Sequence, residues 1–72
     1  MINKPKVLIL GSTGMVGHQL CIYLNNKNEY IIFDIARSAK FRHETTLMDV
    51  TYEEKLFEYI KHINPDYIVN CI

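Results

Sequence analysis

Residues 7–20 read VLILGSTGMVGHQL, four apolar side chains followed at once by glycines at 11, 14 and 17. Four consecutive apolar residues suit a strand buried on both faces, and the pattern after Gly17 suits a helix, so the glycines occupy a strand-to-helix turn. The first turn of a helix leaves backbone N–H groups without intrahelical acceptors and carries a partial positive charge. A turn without side chains lets a pyrophosphate come up against those groups, which makes this stretch a candidate phosphate site. The spacing is GxxGxxG, with Ser12 and Thr13 between the first two glycines, and not the GxGxxG of the commonest dinucleotide fingerprint.

Outward from this turn, the chain alternates strands and helices without repeats, low-complexity stretches or linkers. A first strand is predicted from Lys6 to Leu10, its start fitted to Pro5, which has no N–H to give to a ladder. A first helix runs from Met15 to Asn26, with Val16, Leu20 and either Tyr23 or Leu24 as the stripe facing the sheet, and Asn25 to Asn28 ending it. A second strand covers Tyr30 to Ile35, apolar except for Asp34. The polar stretch from Ser38 to Glu44 leads to a short third strand near Thr45 to Met48. Thr51 and Glu54 have the T-x-x-E spacing of a capping box, opening a helix with Leu56, Ile60 and Ile63 inward and Phe57 beside them. Asn64-Pro65 stops it, and Tyr67 to Ile72 form a fourth strand, apolar but for Asn70.

Strand, helix, strand, strand, helix, strand implies parallel pairing with right-handed crossovers, and so helices on both faces of one sheet. The expected order is 3-2-1-4, the N-terminal half of a Rossmann-like doubly wound α/β fold. A fourth strand left at the edge exposes apolar residues, and a chain this short buries only ~60% of its unfolded surface. We therefore expect residues 1–72 to be a partial nucleotide-binding domain from a larger protein, marginally stable alone and prone to associate through that strand.

Composition excludes several classes. The 72 residues are 49% hydrophobic with zero formal net charge, and Lys and Arg are scattered singly, so neither nucleic acid nor a membrane surface is an expected partner. No apolar run approaches the roughly 18 residues of a membrane span, and the Met1 end lacks a signal-peptide pattern, which reads as cytoplasmic. Cys21 and Cys71 fall on a predicted helix and strand without metal-type spacing, as reduced apolar fillers. His18, His43 and His62 are dispersed, so no metal site is expected, and His18 reads as a first-turn surface residue.

The strand with GSTGMVG, FDIARS closing the second strand, MDVT closing the third, and NPDYIVNCI as the fourth together resemble the extended short-chain dehydrogenase/reductase family. The likeness covers nearly the whole chain and is nearest to the dTDP-4-dehydrorhamnose reductase group of sugar-nucleotide enzymes. It implies that Gly11, Gly14, Met15, Val16 and Gly17 form the pyrophosphate turn, with Thr13 stabilising it. It also implies that Asp34 accepts from the adenosine ribose hydroxyls, the alternative being a solvated strand-end acid. Arg37 could reach a 2′-phosphate and admit NADPH, or be a surface charge, so NAD and NADP both stand as the cofactor. Two readings are open for Asp49 with Val50: the family's adenine-contacting pair, or, for Asp49, part of the cap before the second helix.

Tyr23 and Lys27 have the Y-x-x-x-K spacing of these reductases' catalytic pair, but they end the helix whose start faces the phosphates, about 12 Å away at ~1.5 Å per residue. That spacing reads as coincidence. Tyr52, Tyr59 and Phe57 read as ordinary packing and surface aromatics, and Glu53, Glu54, Glu58, Lys55 and Lys61 as a solvated face.

The resemblance implies, for the whole protein, hydride transfer from NAD(P)H to a 4-keto nucleotide sugar, dTDP-rhamnose biosynthesis as its setting, and a homodimer. The pair that supplies the proton lies downstream, so no residue here is expected to be catalytic and the 72 residues alone to be inactive. Two alternatives stay open: an NAD-dependent nucleotide-sugar epimerase or dehydratase, which recycles its NAD, and a non-catalytic NAD(P)-sensing domain.

Overall fold

The computed structural model describes residues 4–40 and 42–72. The Met1 end, and Phe41 within the polar stretch before the third strand, lie outside the described residues. In chain order the elements are β1 (Lys6–Leu10), α1 (Met15–Lys27), β2 (Ile31–Ala36), β3 (Thr46–Leu47), α2 (Glu53–Ile63) and β4 (Tyr67–Asn70). The strands form one sheet in the order β3-β2-β1-β4, every pair parallel. This is the Rossmann-like α/β arrangement that the alternation of elements predicts.

Two apolar clusters show why β1 is apolar at every step from Val7 to Leu10. Val7 and Ile9, with Ile32 of β2, pack against Leu20, Cys21 and Leu24 of α1. Leu8 and Leu10, with Ile35, pack against Leu56, Tyr59 and Ile60 of α2. Alternate residues of the central strand thus bury on opposite sides, and each helix covers one side. Both cysteines are free thiols; Cys21 is enclosed in the α1-side cluster and Cys71 packs against it. Burial pushes the Cys21 thiol up, away from the reactive thiolate, which fits its part as an apolar filler.

The inward stripe of α1 differs from the expected one. Gly17 and Cys21 are its buried residues, flanked by Leu20 and Leu24, whereas Val16 is 69% exposed and Tyr23 faces solvent. The cause lies at the first turn of the helix, where Gly17 sits directly against the backbone of Gly11 and Ser12. Docking through its smallest residue rotates α1 by about one position, which carries Val16 off the sheet.

The capping box does not form. Thr51 instead gives both its amide and its hydroxyl to Asp49 Oδ1, at 3.0 and 2.7 Å. Asp49 therefore wins the competition for Thr51 through a local turn, the common alternative to a helix cap for such residues. Tyr52 flanks the start of α2 without a side-chain cap bond, while Glu53 and Glu54 place carboxylates where the helix dipole favours them. Phe57 lies outward, and Ile63 is buried. Both helices end on an asparagine in the left-handed region, Asn28 at φ 55° and Asn64 at φ 52°, the second just ahead of Pro65.

Strand bounds shift slightly from expectation. β2 starts and ends one residue later, β3 shrinks to two residues, and β4 stops at Asn70, whose side chain accepts from the Ile72 amide at 3.0 Å. β4 lies at the margin of the sheet with Tyr67 and Ile68 exposed.

Candidate functional site

The three glycines of the turn after β1 have three different tasks. Gly11 has φ +83°, and a Cβ there would lie 3.1 Å from the Cys71 carbonyl carbon and oxygen, so both its dihedral and its surroundings call for glycine. The amides of Gly11 and Ser12 both donate to the Ile35 carbonyl, at 3.0 and 3.1 Å, which ties the turn to the end of β2. A Cβ on Gly17 would overlap the Gly11 carbonyl oxygen and stand 3.0 Å from the Gly11 carbonyl carbon, so this glycine seats the helix on the turn. Gly14 is different. Its Cβ would meet nothing closer than the Gly11 oxygen at 3.5 Å, an ordinary contact, so the fold itself does not require glycine there.

Gly14 flanks the start of α1, makes no side-chain cap bond, and is followed by a first turn without acidic residues. The first intrahelical bond runs from the His18 amide to the Gly14 carbonyl at 2.8 Å, which leaves the amides of Met15, Val16 and Gly17 ahead of it. An anion in front of Gly14 would meet these N–H groups and the positive end of the helix dipole.

A cleft of about 370 Å³ opens beside this turn, within the size range of small-molecule sites. Gly11, Thr13 and Gly14 line it from the turn, Arg37 from the end of β2, and Asp49 and Val50 from the segment after β3. Six of the ten expected cofactor residues are thereby brought together. Met15 and Val16 are 86% and 69% exposed, and their side chains do not line the cleft.

Asp34 is not among the lining residues. It is fully buried on the α1 side of β2, with Oδ1 2.6 Å from Arg42 Nε and Oδ2 accepting from the Thr45 hydroxyl at 2.7 Å. Arg42 also donates through Nη2 to the Ile32 carbonyl at 2.7 Å. An acid in an apolar strand needs partners. The β2–β3 connection supplies them from the protein itself, and full burial rules out the alternative reading of Asp34 as a solvated strand-end acid.

Asp49 takes part in the turn before α2, one of its two open readings, and it also lines the cleft. The Thr51 hydroxyl and then its amide hold the Asp49 carboxyl below the usual carboxylate range; Arg37, with Nε 3.8 Å from Asp49 Oδ2, adds a smaller effect in the same direction. A lowered folded-state pKa means that the carboxylate stabilises the fold above the ordinary aspartate value near 3.9, and that this is lost as pH falls through the folded value. Asp49→Asn keeps the acceptor for Thr51 and removes the titration. Its thermal stability should therefore fall less steeply than that of the native chain below about pH 4 in a series of melts; identical acid limbs would refute this role for Asp49.

The sequence reading missed several residues here. Thr51 and Cys71 line the cleft, and Arg42 and Thr45 hold Asp34. Thr51 could have been found in the D-V-T run, but nothing local marks Arg42 as the partner of an acid eight residues earlier. Tyr23 and Lys27 stay away from the cleft, with the lysine ammonium 5.2 Å over the tyrosine ring. Among the described residues, no group of three or more His, Cys, Asp or Glu could hold a metal ion, and no helix is long and apolar enough to cross a membrane.

A parallel α/β sheet with a glycine turn, a bare helix N-terminus and a cleft at the carboxyl ends of its strands defines a Rossmann-like domain of the nucleotide-binding class. The chain belongs to the NAD-dependent epimerase/dehydratase family, whose model matches residues 7–72. Neither the curated proteins nor the solved structures gave a match. The family implies a nicotinamide dinucleotide, and the chain fits one: the space in front of Gly14 is what a Cβ would fill, and the amides behind it suit a pyrophosphate.

Proposed function

We propose that this chain is the dinucleotide-binding part of an enzyme that works on nucleotide sugars, with Gly11, Thr13, Gly14 and the first-turn amides of α1 on the pyrophosphate, and Asp49 and Val50 beside the adenine. The observation that carries this is the open space at Gly14, a glycine that the fold does not need, at the one helix start among the described residues that lacks both a side-chain cap bond and an acid. The bound dinucleotide supplies or accepts hydride at its nicotinamide; these residues bind and orient it. At a finer level, the resemblance to sugar-nucleotide reductases supports reduction of a 4-keto nucleotide sugar, with cytoplasmic placement and a homodimer of the complete protein. The match to the epimerase/dehydratase model favours a second reading, in which NAD is reduced and reoxidised within one turnover. Steady consumption of NAD(P)H by the complete protein with a 4-keto nucleotide sugar would support the reductase; conversion with no net change in NADH would support the epimerase or dehydratase.

Gly14→Val tests the site. The backbone at Gly14, φ −71° and ψ 162°, is open to any residue, so the circular dichroism and the melt should stay close to native. The branched side chain occupies the pyrophosphate position, and calorimetric titration should show at least a tenfold loss for NADH and NADPH alike. Undiminished affinity in the folded variant would refute the phosphate-turn reading.

A further inference from the structure

We propose that Arg42 sets the cofactor preference of this cleft: by binding and burying the Asp34 carboxylate it withholds the acid of β2 from the ribose hydroxyls and leaves Arg37 to pair with a 2′-phosphate, so that NADPH binds more tightly than NADH. The inference rests on the dinucleotide reading above.

A carboxylate selects the unphosphorylated ribose in two ways, by accepting from its hydroxyls and by repelling a phosphate placed there. Asp34 is poorly placed for either. Both its oxygens are occupied, by Arg42 Nε at 2.6 Å and Thr45 Oγ1 at 2.7 Å, and its surface is wholly enclosed. Its charge is offset by the Arg42 guanidinium, whose own side chain is only 17% exposed and is held in place by its second bond to the Ile32 carbonyl. Accepting from a ribose would require Asp34 to be uncovered.

Arg37 is in the opposite condition. It lies at the end of β2 on the rim of the cleft, with a side chain 83% exposed. Its counter-ion Asp49 is 3.8 Å away, beyond hydrogen-bond length, and Asp49 Oδ1 is already engaged by Thr51. Arg37 and Asp49 are the charged residues among the described lining of the cleft. A guanidinium with unfilled donors at that rim matches a phosphate with two parallel bonds, and a 2′-phosphate offers a better partner than the distant Asp49 carboxylate. The 2′-hydroxyl of NADH offers nothing comparable.

The test is titration of the full chain with NADPH and NADH by calorimetry, repeated on three variants whose folding is checked by circular dichroism. The native chain should bind NADPH about tenfold more tightly or better, and Arg37→Ala should lose that advantage while its NADH affinity stays within about twofold. Asp34→Asn retains the shape and an acceptor for Thr45, and should leave the ratio of the two affinities unchanged. Arg42→Gln exposes the Asp34 carboxylate and should lower the ratio by about tenfold. Equal or tighter binding of NADH by the native chain overturns the proposal, as does a tenfold loss of NADH on Asp34→Asn, or an unchanged ratio in a folded Arg42→Gln. If Arg42→Gln does not fold, the native ratio, Arg37→Ala and Asp34→Asn decide. Absence of binding by both dinucleotides would instead overturn the dinucleotide reading itself.

Discussion

Gly17→Ala is expected to cost the fold about 3 kcal/mol or more, against about 1 kcal/mol or less for Gly14→Ala, although both add one methyl group to the same turn. The added Cβ at Gly17 would overlap the Gly11 carbonyl oxygen and crowd the Ser12 Cα, at 3.2 Å. These are backbone atoms, which cannot swing aside as the tip of a side chain can. They are also held: the Gly11 and Ser12 amides are bonded to the Ile35 carbonyl, and the Gly14 amide to the Gly11 carbonyl at 3.2 Å. The methyl can be accommodated only by lifting the start of α1, which loosens Cys21 and Leu20 from Val7 and Ile9. A domain of this length has roughly 4–11 kcal/mol in total, so the loss is a large part of it. Urea unfolding of the two variants side by side measures the difference. Equal midpoints would mean that α1 does not dock through Gly17.

Asp34→Ala is the second large effect, expected at about 3–5 kcal/mol, toward the lower end because Arg42 keeps some access to water. The substitution removes the acceptor of Arg42 Nε and of the Thr45 hydroxyl together, and leaves a largely enclosed guanidinium with only the exposed Glu44 carboxylate, 3.6 Å from Nη1, as counter-charge. Arg42→Ala should be comparably damaging, since it strands the carboxylate. The double variant should be milder than the sum of the two, because neither charge is then left alone, and the coupling from the full cycle should reach about 1–3 kcal/mol. Additive losses would show that the two side chains do not act as a pair. This cycle reads folding alone, and so is independent of which dinucleotide the cleft takes.

The elements that were legible in the sequence are those set by near neighbours. VLIL announces a strand covered on both faces, the turn glycines announce a helix start, and Leu56 and Ile60 lie on the α2 face that the 3.6-residue period predicts. The order β3-β2-β1-β4 follows from the alternation of strands and helices, and short parallel connections leave few other topologies. Of the cleft lining, Gly11, Thr13, Gly14, Arg37, Asp49 and Val50 were legible because a cleft in such a sheet lies at the carboxyl ends of its strands, and each of these residues comes within four positions of a strand end.

What only the tertiary structure decided are choices between partners that the sequence holds at equal standing. Thr51 could serve Glu54 or Asp49, and the nearer carboxylate took it. Val16 could have faced the sheet by its spacing, but the approach of Gly17 to the Gly11 carbonyl set the rotation of α1 and turned Val16 out. That an acid in β2 must find a partner was determined by its apolar surroundings in the sequence. That Arg42 and Thr45 hold it was determined by the tertiary structure, which brings a guanidinium and a hydroxyl to the strand. Periodicity and turn chemistry act within a few residues and survive in any one-dimensional reading, whereas the pairing of a buried charge depends on which distant atoms the completed fold delivers within 3 Å of it.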